Sequence, residues 1–204
     1  MKQLIKKLLR EGLLDEAAIT NLTGIGFFAN ESESVLGLYK SEDMKKGLEN
    51  YDADEINESV IGAVELRYNE SLQTYEINSI YADKGYGPLL YLIAMTKSPE
   101  GLIPSRTSQV SKSAKSVWEQ FYSGKGQGSV TFEPIKAGRH QEDYMNQKYF
   151  IKNPIDLNKA ESVTKDILKN DKYDEKLSML EEAIDGRLRP VSYTHLTLPT
   201  ILLV

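Results

Sequence analysis

Gly85 and Gly87 stand two apart in Ala82-Asp83-Lys84-Gly85-Tyr86-Gly87-Pro88, directly before the apolar run Leu89–Met95. Glycine lets backbone approach a ligand closely, and proline suits the first turn of a helix, where its missing N–H has no partner to lose. A loop of this kind offers free amides and the positive end of the helix dipole, which together favour a phosphate. It is neither of the two common nucleotide patterns. No Gly-Lys-Ser/Thr follows, and three spaced glycines in a parallel βαβ unit are lacking. A tight strand-to-helix turn would use the same residues.

Other chemistries are thinly represented. The chain has no cysteine, which removes disulfides, thiolate nucleophiles and cysteine metal sites. Its two histidines are His140 and His195, too few for a convincing Ser-His-Asp constellation. No cluster of potential ligands has metal-site spacing. Arg106 in "PSRTS", His140 in "AGRHQED" and the carboxylates of "EEAID" read as solvated side chains. A net charge of −5 gives no footprint for nucleic acid, and the twelve tyrosines are scattered rather than forming a stacking platform. No apolar run approaches the roughly 20 residues needed to span a membrane.

The elements that must hold the glycine loop follow from periodicity. "SVLGLYK" (34–40), "SVIGAVELRYN" (59–69) and "TYEINSIYA" (74–82) read as strands, the last two as a hairpin closed by "ESLQ". "DMKKGLENYDADEINES" reads as a loop with at most one helical turn. "PLLYLIAMTK" (88–97) and "SKSAKSVWEQFY" (111–122) read as helices. In the second, Ser111 or Ser113 is the candidate cap, and Ala114, Val117, Trp118 and Phe121 form one apolar stripe. "GLIPSRTSQV" reads as a loop with a short strand, and "SVTFEPI" and "YMNQKYFIK" (144–152) as closing strands. Beyond Pro154 the chain turns charged and helical, with Leu157, Ala160, Val163, Ile167 and Leu168 at helical spacing. The order predicts an α/β (α+β) fold, a mixed and mostly antiparallel sheet flanked by helices, with appended C-terminal helices.

A strand, a Gly-x-Gly loop, a helix, a strand and a second helix with an Ala-x-x-x-aromatic pattern resemble the GNAT (GCN5-related) N-acetyltransferases. Ala82 to Gly87 sits in the register of that family's Arg/Gln-x-x-Gly-x-Gly/Ala signature. Ser111, Ala114, Val117 and Trp118 line up with its Asn-x-x-Ala-x-x-Leu-Tyr motif. "KGYGPLLY" with "SxxAxxVWxxFY" looks closest to a branch found in phage and prophage genomes. The resemblance covers roughly residues 35–152. It implies transfer of an acetyl group from acetyl-CoA, as co-substrate and without a metal, to an amine on a protein, peptide or small molecule. Lys84, Gly85, Tyr86, Gly87 and Pro88 would hold the pyrophosphate, and the pantetheine arm would lie along 74–82. A backbone N–H near Ile77, Asn78 or Ser79 would polarise the acyl carbonyl. Glu76, or Glu65 on the neighbouring strand, would act as general base, with Glu76 preferred. Two departures stand out. Ala82 replaces the Arg/Gln, and Trp118 replaces the tyrosine that often protonates the thiolate, leaving Tyr122, one turn later, as its substitute. A chain with this resemblance and these departures would also suit a GNAT-fold phage protein without catalysis, with a virion-packaged or partner-binding role. Its expected location is the cytoplasm of an infected bacterial host, or the virion.

The two ends are set apart from the acyl-CoA-binding domain expected over 15–153 and the helical extension over 154–190. Residues 1–14 carry Leu4, Ile5, Leu8 and Leu9 at helical spacing among Lys2, Lys6, Lys7 and Arg10, an amphipathic helix. The same stretch resembles leaders of phage internal head proteins, which are cut after Leu-x-Glu, here after Glu11. From Val191 to Val204 there is no charged residue, and "VSYTHLTLPT" resembles one translated frame of a transposon-end sequencing adapter. It is excluded from the fold, and the expectation is that the natural C-terminus is missing.

Overall fold

The computed structural model describes residues 22–106, 110–124, 130–136, 140–169 and 172–189. The expected N-terminal helix or leader and the tail from Val191 lie outside them. Strands β1 (Ile25–Ala29), β2 (Val35–Lys40), β3 (Val60–Asn69), β4 (Thr74–Ala82), β5 (Leu102–Ile103), β6 (Val130–Pro134) and β7 (Gln147–Ile151) form one sheet in the order β1-β2-β3-β4-β5-β7-β6. Every neighbouring pair is antiparallel except β4–β5. The helices are α1 (Ser41–Asn50), α2 (Ala53–Ser59), α3 (Gly87–Thr96), α4 (Lys112–Ser123), α5 (Asn158–Leu168) and α6 (Tyr173–Leu188). The mixed α/β architecture with a mostly antiparallel sheet is therefore as the sequence predicts.

Three local expectations are corrected. The polar stretch after β2 is two helices, not a loop. Met44, Gly47 and Leu48 put one narrow face of α1 in the core, and Asp52 caps α2 by accepting from the amides of Asp54 and Glu55 at 3.1 Å each. The closing segment from Tyr144 opens with a 3-10 turn, Asp143–Asn146, before β7 begins. Strand β1 is absent from the strands expected above.

Side chains alternate across the sheet and build two cores. On one face Leu36, Leu38, Ile61 and Val64 pack with Leu90–Met95 of α3 and with Trp118 and Phe121 of α4. On the other, Tyr39, Val60 and Ala63 pack with Met44, Leu48 and Ile56 of α1 and α2 and with Leu180, Ala183 and Ile184 of α6. The C-terminal helices are thus built into the core. A Cβ on Gly37 would lie 2.4 Å from Ile184 Cδ1, so α6 rides directly on β2. Helix α5 lies along β1, where Thr164 Oγ1 donates to the carbonyl of Phe27 at 2.6 Å and covers an otherwise open edge.

Two irregularities shape the middle of the sheet. Glu65 pairs with Ser79 and Leu66 with Ile77, so Asn78 is an extra residue on β4, and such a bulge bends its strand. Strand β5 meets β4 only at Tyr75–Leu102 and Glu76–Ile103. From Ile77 onward this flank of β4 has no strand beside it among the described residues.

Candidate functional site

The open flank of β4 borders a cleft made of two hollows of about 330 and 430 Å3. Both are lined by Ile80, Tyr91, Ser111 and Ala114, so they adjoin.

The first hollow lies where two helices begin. Lys84, Gly85, Gly87 and Pro88 border it from the start of α3, and Ser111, Ser113 and Ala114 from the start of α4. Ser111 Oγ accepts the Ala114 amide at 3.2 Å. The residue before α3, Tyr86, offers no side-chain cap to the first-turn amides, of which Pro88 has none and that of Leu90 donates to the Tyr86 carbonyl. Gly85 has φ +99°, a conformation that glycine adopts without strain. Gly87 differs: a Cβ there would meet nothing within 4 Å. Packing does not require glycine at this position, and a side chain would project into open space beside the helix start. Asp83 also borders the hollow, but its Oδ1 accepts from the Tyr81 hydroxyl at 2.6 Å, and that bond, followed by burial, raises the phenol's pKa.

The second hollow lies beside the open flank of β4 and is lined from both faces of the sheet. Ala114 and Trp118 of α4 line it from one face, and Arg187, Leu188 and Arg189, at the end of α6, from the other. Between them runs β4 from Ile77 to Tyr81. Trp118 is buried at 1% exposure, with its ring 4.8 Å from both Tyr91 and Tyr149. Burial pushes the Tyr91 phenol well above its ordinary pKa, so it stays protonated and able to donate.

Of the residues singled out above, Ile77, Asn78, Ser79, Lys84, Gly85, Gly87 and Pro88 line this one cleft. Tyr86 packs against the core beside it. Glu76 is not among the lining residues. Its side chain is 1% exposed, bonded to the Arg67 guanidinium, and accepts from Asn69 Nδ2 at 3.0 Å. Glu65 is nearer: its Oε2 accepts from Asn78 Nδ2 at 2.7 Å and from Ser79 Oγ at 3.1 Å, one hydrogen bond from the cleft. Tyr122 lies away from the cleft, half exposed and stacked on Phe132 at 4.7 Å. His140 is tied into its loop, with a ring nitrogen 3.0 Å from the carbonyl of Ser105.

Tyr91, Ser105, Arg187 and Arg189 are cleft residues that the sequence did not reveal. Tyr91 sits in an apolar helix and reads as core, and the two arginines reach the site only because α6 packs on the sheet. No group of His, Asp and Glu among the described residues could hold a metal ion, and no helix among them is long and apolar enough to cross a membrane. No family model, curated protein or solved structure matches the chain.

Proposed function

We propose that the chain is a GNAT-like transferase that moves an acetyl group from acetyl-CoA to an amine. The observation that carries this reading is a cleft at the open flank of β4, with two helix starts at one end and Arg187 to Arg189, from the sheet's other face, at the other. A two-substrate reaction needs such a cleft, since each reactant must reach the same point without displacing the other. The residues present fit the cofactor. Gly87 has open space at its Cβ position beside the helix start, Lys84 adds a positive charge, and the starts of α3 and α4 favour phosphate. The missing Arg/Gln at Ala82 removes one contact only.

The bound thioester supplies an activated acetyl carbon. The acceptor nitrogen bonds to that carbon and the carbon–sulfur bond breaks. One proton leaves the nitrogen and one reaches the sulfur. A backbone amide of β4 near Ile77 to Ser79, on the flank without a paired strand, would polarise the carbonyl. Ser79, which donates a hydrogen bond to Glu65, would pass the amine's proton on to that carboxylate, and the sulfur would take its proton from water, since burial raises the Tyr91 pKa and makes its phenol a poor acid. Glu76 serves the fold in this scheme.

A second reading, binding without transfer, is favoured by one observation: α4 turns Trp118, not a tyrosine, into the cleft, and Tyr122 faces Phe132. Calorimetric titration of acetyl-CoA into the protein, with Gly87→Trp as control, tests both. Saturable binding that the control loses is the expected result. No binding at millimolar acetyl-CoA would overturn the transferase reading.

A further inference from the structure

We infer that the acceptor carries an anionic group, held at the far-face mouth of the cleft by Arg187 and Arg189. The inference rests on the transferase reading for the word acceptor, but the anion site stands on its own geometry. In a protein of net charge −5, the charged side chains lining the second hollow are these two arginines. Neither forms an ion pair with a carboxylate among the described residues.

Arg187 is held ready rather than left free to move. Its NH2 group donates to the carbonyl of Asn57 at 2.6 Å, and its guanidinium lies 5.0 Å from the centre of the Tyr81 ring. Its Nε is buried and has no partner, an unusual state for a buried donor. The buried Nε is closed off from the hollow, so what Arg187 offers a ligand there is the positive charge of a guanidinium fixed on two sides, which suits a carboxylate or phosphate. The hydrogen-bonded Ser79 and Asn78 line the same hollow. An amine whose own acidic group is seated on the arginines would therefore lie beside the flank of β4, where the acetyl carbon is expected. Polyamines and other purely cationic acceptors would meet two positive charges at the entrance.

The test uses amines in matched pairs: amino acids and short peptides against their methyl esters, and phosphoethanolamine against ethanolamine, with spermidine as the cationic arm. The expected result is that the anionic member of one pair is acetylated with kcat/KM at least about tenfold above its neutral twin, as one charge-assisted contact would give. Which pair responds distinguishes carboxylate from phosphate. Arg187→Gln with Arg189→Gln should erase that preference through the acceptor KM and leave the acetyl-CoA KM unchanged. Preference for spermidine or the esters, or a preference that survives the double variant, would overturn the inference. The chain's single tryptophan, Trp118, gives a second readout without turnover, quenching of its fluorescence on titration with the same compounds. Saturable quenching by anionic members, lost in the double variant, would uphold the anion site even if no acetyl transfer occurs, in which case only the transferase reading fails. Acetyl-CoA binding with neither discrimination nor quenching by anions would sink the anion site and leave the transferase reading standing.

Discussion

Thr74–Glu76 and Ile77–Ala82 belong to one strand, but only the first half has a strand on each side. In the first half Thr74 and Glu76 are fully buried, and their polar atoms are spent inside the protein: Thr74 Oγ1 donates to the carbonyl of Gly101 at 2.7 Å, and Glu76 holds Arg67 and Asn69. In the second half Asn78, Ser79, Tyr81 and Ala82 are half-buried, and residues 77–82 line the cleft, apart from the packing they share with the core. The bulge at Asn78 divides the two. A polar side chain on β4 therefore serves the fold or the cleft according to which side of the bulge it occupies.

The largest expected effect breaks the first half. Glu76→Ala removes the buried carboxylate that Arg67 and Asn69 both bond and should destabilise the protein by about 2 kcal/mol, a value kept low because the Arg67 side chain is 48% exposed. The urea midpoint at constant slope would measure it. Acetyl-CoA affinity per folded molecule should hardly change. A stable variant that had lost transfer outright would put Glu76 back in the chemistry and dissolve the comparison.

Next comes the turn at the end of the second half. Gly85→Ala forces an L side chain into φ +99° and should cost about 1–2 kcal/mol. It should also weaken acetyl-CoA binding, because the amides before α3 would shift. Unchanged affinity with the stability loss would mean that the turn is needed only to reverse the chain. Ser111→Ala removes the cap of α4 and should cost about 1 kcal/mol. Since Ser111 borders both hollows, acetyl-CoA binding should fall along with it, whereas a variant binding acetyl-CoA normally would remove the start of α4 from the site.

The hairpin of β3 and β4 and the helices α3 and α4 were legible because their patterns are local. Alternation over Thr74–Ala82, Pro88 at a helix start and Ser111 at a cap all act within a few residues. Of the seven cleft residues, Lys84, Gly85, Gly87 and Pro88 share that origin, whereas Ile77, Asn78 and Ser79, on the strand before the loop, were named from the family resemblance. The choice between Glu65 and Glu76 was not legible. Alternation assigns faces only while each residue meets one partner, and Asn78 breaks that count, so that Ser79 comes opposite Glu65. Helices α1 and α2 were hidden for another reason: with Met44, Leu48 and Ile56 as their main buried apolar side chains, their polar surfaces dominate the text. Arg187 and Arg189 carry no local mark at all, because it is the packing of α6 on the sheet, through Leu180, Ala183 and Ile184, that brings its end to the cleft.

The smallest stability effect sharpens the comparison most. Ser79→Ala removes a half-exposed hydroxyl bonded to Glu65 and should cost less than about 1 kcal/mol. It sits beyond the bulge, so its effect should appear in turnover instead. Loss of a group that passes a proton lowers kcat by roughly 100-fold or more, and the acetyl-CoA KM should stay in place. Ser79→Thr keeps a hydroxyl on the same backbone position and should restore most of the rate. If alanine and threonine variants turn over alike, Ser79 does not pass the proton, and Glu65 must be reached through Asn78 or water. If Ser79→Ala instead unfolds the protein as readily as Glu76→Ala, the two halves of β4 do not differ in the way their pairing implies, and the bulge is a feature of the core.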